Sequence, residues 1–217
     1  MPLPAIEIET GANPRHAVIW LHGLGADGHD FEPIVPELEV ARPLRYVFPH
    51  APVRPITING GMAMRAWYDI SGMEIAQRQD EAGIRASQGL LEGLIAREIE
   101  RGIPAERIVL AGFSQGGAIA LQTALRYPER LAGILALSTY LPLASTVEAE
   151  RAGANQALPI FMAHGRFDDI IPLDRAQASR KHLEALGYAV EWHEYPMPHS
   201  VCPPEIAHIA AFLTRVL

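Results

Sequence analysis

Short apolar runs alternate with longer amphipathic stretches along the chain, and this rhythm limits the available folds more than any other feature. The runs are AVIWL (17–21), LRYVF (44–48), RIVLA (107–111), AGILAL (132–137), PIFMA (159–163) and AVEWH (189–193). Most are almost continuously apolar, as in strands covered on both faces by helices. AIEIE (5–9) instead alternates Ile6 and Ile8 with Glu7 and Glu9, which predicts an edge strand with one wet face. Helices are expected over 84–100, 115–126 and 175–186, with a last one opened by Pro204. The first carries an apolar stripe of Leu91, Leu94, Ile95 and Ile99 and stops at Gly102 and Pro104. The second ends before Pro128, and Asp174 is expected to cap the third, which stops at Gly187. Ile206, Ile209, Ala210 and Leu213 form the core face of the last. A βαβα series of this kind implies a mostly parallel sheet with helices on both faces. One long stretch, roughly 50–80, reads as irregular, and loops of that length are usually functional.

The 217 residues suit one domain spanning 1–217. With 25 acidic and 18 basic side chains the net charge is −7, and no Lys/Arg cluster stands out. That argues against nucleic acid as a partner. No apolar run reaches the roughly 18 residues of a membrane span. The opening MPLPAIEIET lacks the basic and apolar regions of a signal peptide. Cys202 is the only cysteine, which excludes an internal disulfide framework and suggests a cytoplasmic protein.

Chemistry enters with Gly112-Phe113-Ser114-Gln115-Gly116, a G-x-S-x-G between the strand RIVLA and a helix. A serine hydroxyl is a poor nucleophile unless a base takes its proton and its oxygen projects clear of the backbone. A sharp strand-to-helix turn supplies the projection, and the flanking glycines leave room for it. The base and its orienting acid then follow in the order Ser, acid, His. PIFMA runs into His164-Gly165-Arg166-Phe167-Asp168-Asp169, so Asp168 and Asp169 are both candidates, with Asp168 favoured. AVEWH leads to His199 in the loop before the last helix; His193 falls within a strand, and His182 and His208 lie on helices. In that arrangement Asp168 accepts the Nδ1 proton of His199, and Nε2 takes the proton of Ser114. Cys202 close to His199 reads as a bystander thiol rather than a nucleophile.

Gly23, Gly25 and Gly28 spell G-x-G-x-x-G after the first core strand, the outline of a dinucleotide fingerprint. Pro33 and Pro36 break the helix that should follow, and LRYVF ends in Phe48-Pro49-His50 without the expected carboxylate. The better reading is a loop whose Leu24 N–H joins that of Gln115 in an oxyanion hole. His22, Asp27, His29 and Asp30 lack a recognised metal-ligand spacing, so no metal is expected.

On these motifs the chain resembles the small carboxylesterase and acyl-protein thioesterase (phospholipase/carboxylesterase) family of α/β-hydrolases. The resemblance rests on WLHGLGADG (20–28), Ala51-Pro52, Ala66-Trp67-Tyr68-Asp69, GFSQGG (112–117), ALSTYLP (136–142), HGRFDD (164–169) and EYPMPH (194–199). It implies an α/β-hydrolase fold with Ser114, Asp168 and His199 as triad and Leu24 and Gln115 as oxyanion donors. Trp67, Tyr68 and a loop near Leu141 would then line the acyl pocket. It implies a cofactor-free enzyme acting on a small-molecule ester or thioester, and it makes a homodimer plausible. Two departures stand out: Pro198 replaces the glycine common before the catalytic histidine, and Ser200 replaces a frequent acid. Only about 17 residues, Leu141 to Leu158, precede PIFMA, too few for a separate lid domain, so an uncovered site is expected.

The expected activity is therefore hydrolysis of carboxylic esters of short to medium acyl chains. Acyl-protein thioester, lysophospholipid and peracid chemistry are alternatives on the same residues. A catalytically silent ligand-binding homologue is the non-enzyme alternative, and the glycine pattern alone is left to support an oxidoreductase.

Overall fold

The computed structural model describes residues 3–72 and 79–217. Its main sheet comprises β1 (Ala5–Glu9), β2 (His16–Leu21), β3 (Leu44–Pro49), β6 (Ile108–Phe113), β7 (Gly133–Leu137), β8 (Ile160–Gly165) and β9 (Val190–Tyr195). Their order across the sheet is β1-β3-β2-β6-β7-β8-β9, with β1 antiparallel to β3 and the rest parallel. The helices are α1 (Glu81–Glu100), α2 (Gln115–Arg126), α3 (Val147–Glu150), α4 (Leu173–Ala185) and α5 (Pro203–Val216). This is the α/β-hydrolase architecture.

Side-chain alternation divides the core in two. Ile108 and Leu110 of β6 face Leu91 and Ile95 of α1 and Ile119 of α2, while Val109 and Ala111 face Ile209, Phe212 and Leu213 of α5. Central strands are therefore apolar on both faces, and β1 is not: Glu7 and Glu9 are exposed beside half-buried Ile6 and Ile8. Among the described residues no helix is long and apolar enough to cross a membrane. Residues 138–159 hold only α3 and short 3₁₀ turns, with no separate lid domain.

Four local expectations need correction. Part of the 50–80 stretch is ordered as a hairpin, β4 (Val53–Ile56) paired with β5 (Met62–Arg65), and residues 73–78 of that stretch lie outside the described residues. Asp174 does not cap α4: the helix opens at Leu173 after Pro172, which puts Asp174 in the first turn, where its charge favours the helix dipole. α5 opens one residue earlier than expected, with both Pro203 and Pro204 in the first turn, where missing N–H groups leave no bond unmade. α1 also gains a first turn because Asp80 accepts the Gly83 amide at 2.9 Å.

Among the described residues Glu98 and Glu205 are the fully buried glutamates, and their surroundings differ. Glu98 on α1 is met by Arg45 at 2.8 Å, Arg101 at 2.9 Å and Arg97 at 3.3 Å. Glu205, in the first turn of α5, has neither oxygen in hydrogen-bond geometry among the described residues. Burial pushes its carboxyl up to about 8, opposed only in part by the Cys202 amide. The unfolded chain ionises Glu205 near the usual value, so unfolding releases a proton across the window from there to about 8. Native stability then falls as pH rises through that window and levels off above it. Glu205→Gln is expected to melt higher than wild type at pH 8, by at least about 1 kcal/mol, and equally at pH 4. Melting curves at both values check this, and a constant difference would contradict it.

Candidate active site

Ser114 sits between the C-terminal end of β6 and the first residue of α2 with φ 53° and ψ −120°. A non-glycine residue in such a region costs on the order of 1–3 kcal/mol and persists only when its neighbours impose it. They do: the Ser114 N–H donates to Leu137 O at 2.9 Å, while its carbonyl accepts from Ala118 N at 3.1 Å and Thr139 Oγ1 at 2.6 Å. The glycines of the motif are explained by close approach. A Cβ on Gly112 would lie 2.3 Å from the Gly116 carbonyl carbon, and one on Gly116 would lie 2.4 Å from Leu21 O. Only bare backbone lets α2 start this close to β2 and β6.

On the same rim, two strands along, the turn after β8 carries Asp168. Its Oδ1 accepts the amides of Ile170 at 3.0 Å and Ile171 at 2.8 Å, and its Oδ2 lies 2.7 Å from His199 Nδ1. Asp168 is buried, whereas Asp169 is exposed. His199 lies in the loop after β9, and its ring centroid is 4.7 Å from that of Phe113, the residue before Ser114. The carbonyls of Tyr195 and Met197 take the Arg166 and Phe167 amides at 2.8 and 3.1 Å, which stitch this loop to the acid turn. A Cβ on Gly165 would come within 2.4 Å of the Met197 and Pro198 carbonyl oxygens. The stitching uses no donor from position 198, so the proline there removes nothing the loop needs.

The loop after β2 closes the third side. A Cβ on Gly23 would lie 3.5 Å from Ser114 Cβ, and Gly25 donates to Arg65 O at 2.9 Å on β5. Neither the Leu24 nor the Gln115 N–H has a partner among the described residues. Buried His22 supports this loop: Nδ1 lies 2.7 Å from Gly23 O, and Nε2 accepts the Ala51 amide at 3.0 Å. Those partners require the neutral ring with its proton on Nδ1, and burial pushes the imidazole down in the same sense. Gly28 packs where a Cβ would strike Phe48 O at 2.4 Å, and a 3₁₀ segment, Glu32–Glu37, follows it. His29 pairs outward with Glu32 at 2.7 Å. Among the described residues no three His, Cys, Asp or Glu side chains gather as ligands of one ion.

An apolar pocket of about 70 Å³ adjoins Ser114, lined by Leu24, Tyr68, Ile70, Gln115, Tyr140, Ile170 and Ile171. Of the three expected pocket residues, Tyr68 lines it, while Trp67 and Leu141 are buried outside its lining. Trp67 is a structural tie: its amide donates to Gln115 Oε1 at 2.8 Å and its Nε1 to His22 O at 2.9 Å. The Leu141 N–H donates to Ser179 Oγ at 2.9 Å. Tyr140 takes the lining position, with its hydroxyl 2.7 Å from that of Tyr68. Burial pushes both phenols up, so each keeps its proton. Tyr140 lies within the motif ALSTYLP, and Ile170 and Ile171 directly follow HGRFDD, but nothing in those motifs marks the three as pocket residues.

Comparison with known proteins places the chain in a family. Residues 3–217 match the phospholipase/carboxylesterase family. Acyl-protein thioesterase 1 of Neurospora crassa is 41% identical over 226 residues, covering 99% of this chain and 92% of that protein. Among solved structures, Arabidopsis thaliana SOBER1 superposes with a TM-score of 0.87 at 30% identity, covering 93% of this chain and 98% of its own. Acyl-protein thioesterase 2 of Zea mays gives 0.86 at 26% identity over 98% of each chain.

Proposed function

Since the chain belongs to the phospholipase/carboxylesterase family of α/β-hydrolases, we propose that it is a serine hydrolase that cleaves carboxylic esters and thioesters through Ser114, His199 and Asp168. The observation that carries this is the 2.7 Å bond from His199 Nδ1 to buried Asp168, on the rim where Ser114 holds its strained turn.

Asp168 fixes the His199 tautomer that leaves Nε2 free to accept a proton. His199 takes the Ser114 proton as Oγ attacks the carbonyl carbon, and the negative charge moves to the carbonyl oxygen. The N–H groups of Leu24 and Gln115 receive that oxyanion, with the N-terminus of α2 adding its partial positive charge. His199 then passes the proton to the departing alcohol or thiol, leaving an acyl group on Ser114. Water, deprotonated by His199, releases the acid and restores the serine. The small apolar pocket supports short to medium acyl chains, and the names of the relatives favour thioester substrates beside oxygen esters. The reading includes a cytoplasmic setting and one catalytic domain.

Treatment with a fluorophosphonate followed by intact-mass analysis tests the reading. Wild type is expected to gain one adduct, mapped to Ser114, and Ser114→Ala to gain none. A folded wild type that takes no adduct would instead support the silent ligand-binding homologue.

A further inference from the structure

His164 is the fifth residue of β8 and is 1% exposed. No step of the proposed mechanism uses it. Its Nε2 lies 2.7 Å from Ile171 O and 3.3 Å from Asp168 Oδ2, the oxygen that also faces His199. A carbonyl can only accept, so Nε2 carries the proton. Nδ1 is buried without a partner among the described residues. From these contacts we infer that His164, as a neutral Nε2–H imidazole, is a positioning residue for Asp168 and through it for His199; the inference rests on the hydrolase reading.

The acid is held on all sides. Two amides, of Ile170 and Ile171, saturate Oδ1 at 3.0 and 2.8 Å. Two imidazoles share Oδ2. Ile171 contributes twice, because its amide fixes Oδ1 while its carbonyl accepts the His164 Nε2 proton and so holds the ring 3.3 Å from Oδ2. Rotation of the carboxylate would break the bonds from the Ile170 and Ile171 amides and carry Oδ2 away from the His164 N–H. The charged groups acting on His164 are Asp168 from its own turn, Glu194 from β9 and His199 from the next loop. Burial outweighs the two carboxylates and pushes the ring down, toward the neutral form. A neutral donor steadies Oδ2 without adding a cation beside His199, whereas a charged His164 would oppose the imidazolium formed during turnover.

Removing this imidazole takes the partial positive charge of its N–H away from Oδ2, which strengthens the carboxylate's hold on the His199 proton and favours the imidazolium. His164→Leu is therefore expected to move the acid limb of kcat/KM to higher pH and to lower kcat/KM at pH 7 about tenfold. His164→Gln, whose side-chain amide offers a donor again, should return the limb toward wild type. In wild type, ¹⁵N shifts of the imidazoles should show His164 as the neutral Nε2–H tautomer at pH 7. An Nδ1–H tautomer or an imidazolium at pH 7 would overturn the inference even if the leucine variant does not fold. So would a folded His164→Leu with an unchanged profile in an enzyme that still takes the fluorophosphonate. No adduct on wild type would sink the hydrolase reading, and this inference with it.

Discussion

Ser114→Ala should lower kcat on a chromogenic ester by about 10⁶, and His199→Ala by a similar factor. The double variant should be little slower than either single one. The reason is mechanistic dependence: a serine without its base is an ordinary alcohol, and a base without its serine has no proton to take. What remains comes from the oxyanion donors and substrate placement, typically 10³–10⁴ over water. Leu24 and Gln115 offer their donors from the backbone, so both substitutions leave them in place. Steady-state rates on the three variants decide the matter, provided melting curves show them folded. A Ser114→Ala protein within a hundredfold of wild type would mean that another group attacks the substrate.

The second large effect separates two adjacent carboxylates. Asp168→Asn should cost about 10⁴ in kcat, whereas Asp169→Asn should stay within about twofold. An asparagine at 168 has one acceptor and one donor where the aspartate has two acceptors. Its oxygen can serve the Ile170 and Ile171 amides, but its NH₂ then points at His199 and His164. Facing a donor, His199 moves its proton to Nε2, where it blocks acceptance from Ser114. Asp169 is exposed, so its loss leaves the site unaltered. Matched kcat values for the two variants would show that the acid at 168 does not orient the base.

Adjacent residues mark the limit of sequence reading here. HGRFDD placed an acid on the right rim, but Asp168 and Asp169 have the same chemistry, and the turn after β8 decides which one faces inward. The pocket repeats the lesson. Trp67 and Tyr68, and likewise Tyr140 and Leu141, are chain neighbours on irregular backbone, where no fixed period says which side chain faces the site. The hairpin of β4 and β5 escaped notice because each strand has four residues, Pro55 interrupts one of them, and Val53 and Met62 stay exposed. Burial left no alternation to read. Glu205 was likewise invisible: a glutamate in the first turn of a helix is common, and only packing reveals that this one is fully buried.

The sequence by itself determined the parallel sheet, the order of its helices and the serine turn. Those depend on local backbone geometry and on apolar periodicity, which short stretches of chain carry in full. The tertiary structure decided which acid meets His199, which aromatic rings line the pocket, and that His164 reaches the same carboxylate oxygen as His199. These are contacts between segments distant in the chain, set to a fraction of an ångström by the packing of whole strands and helices, and no short stretch encodes them.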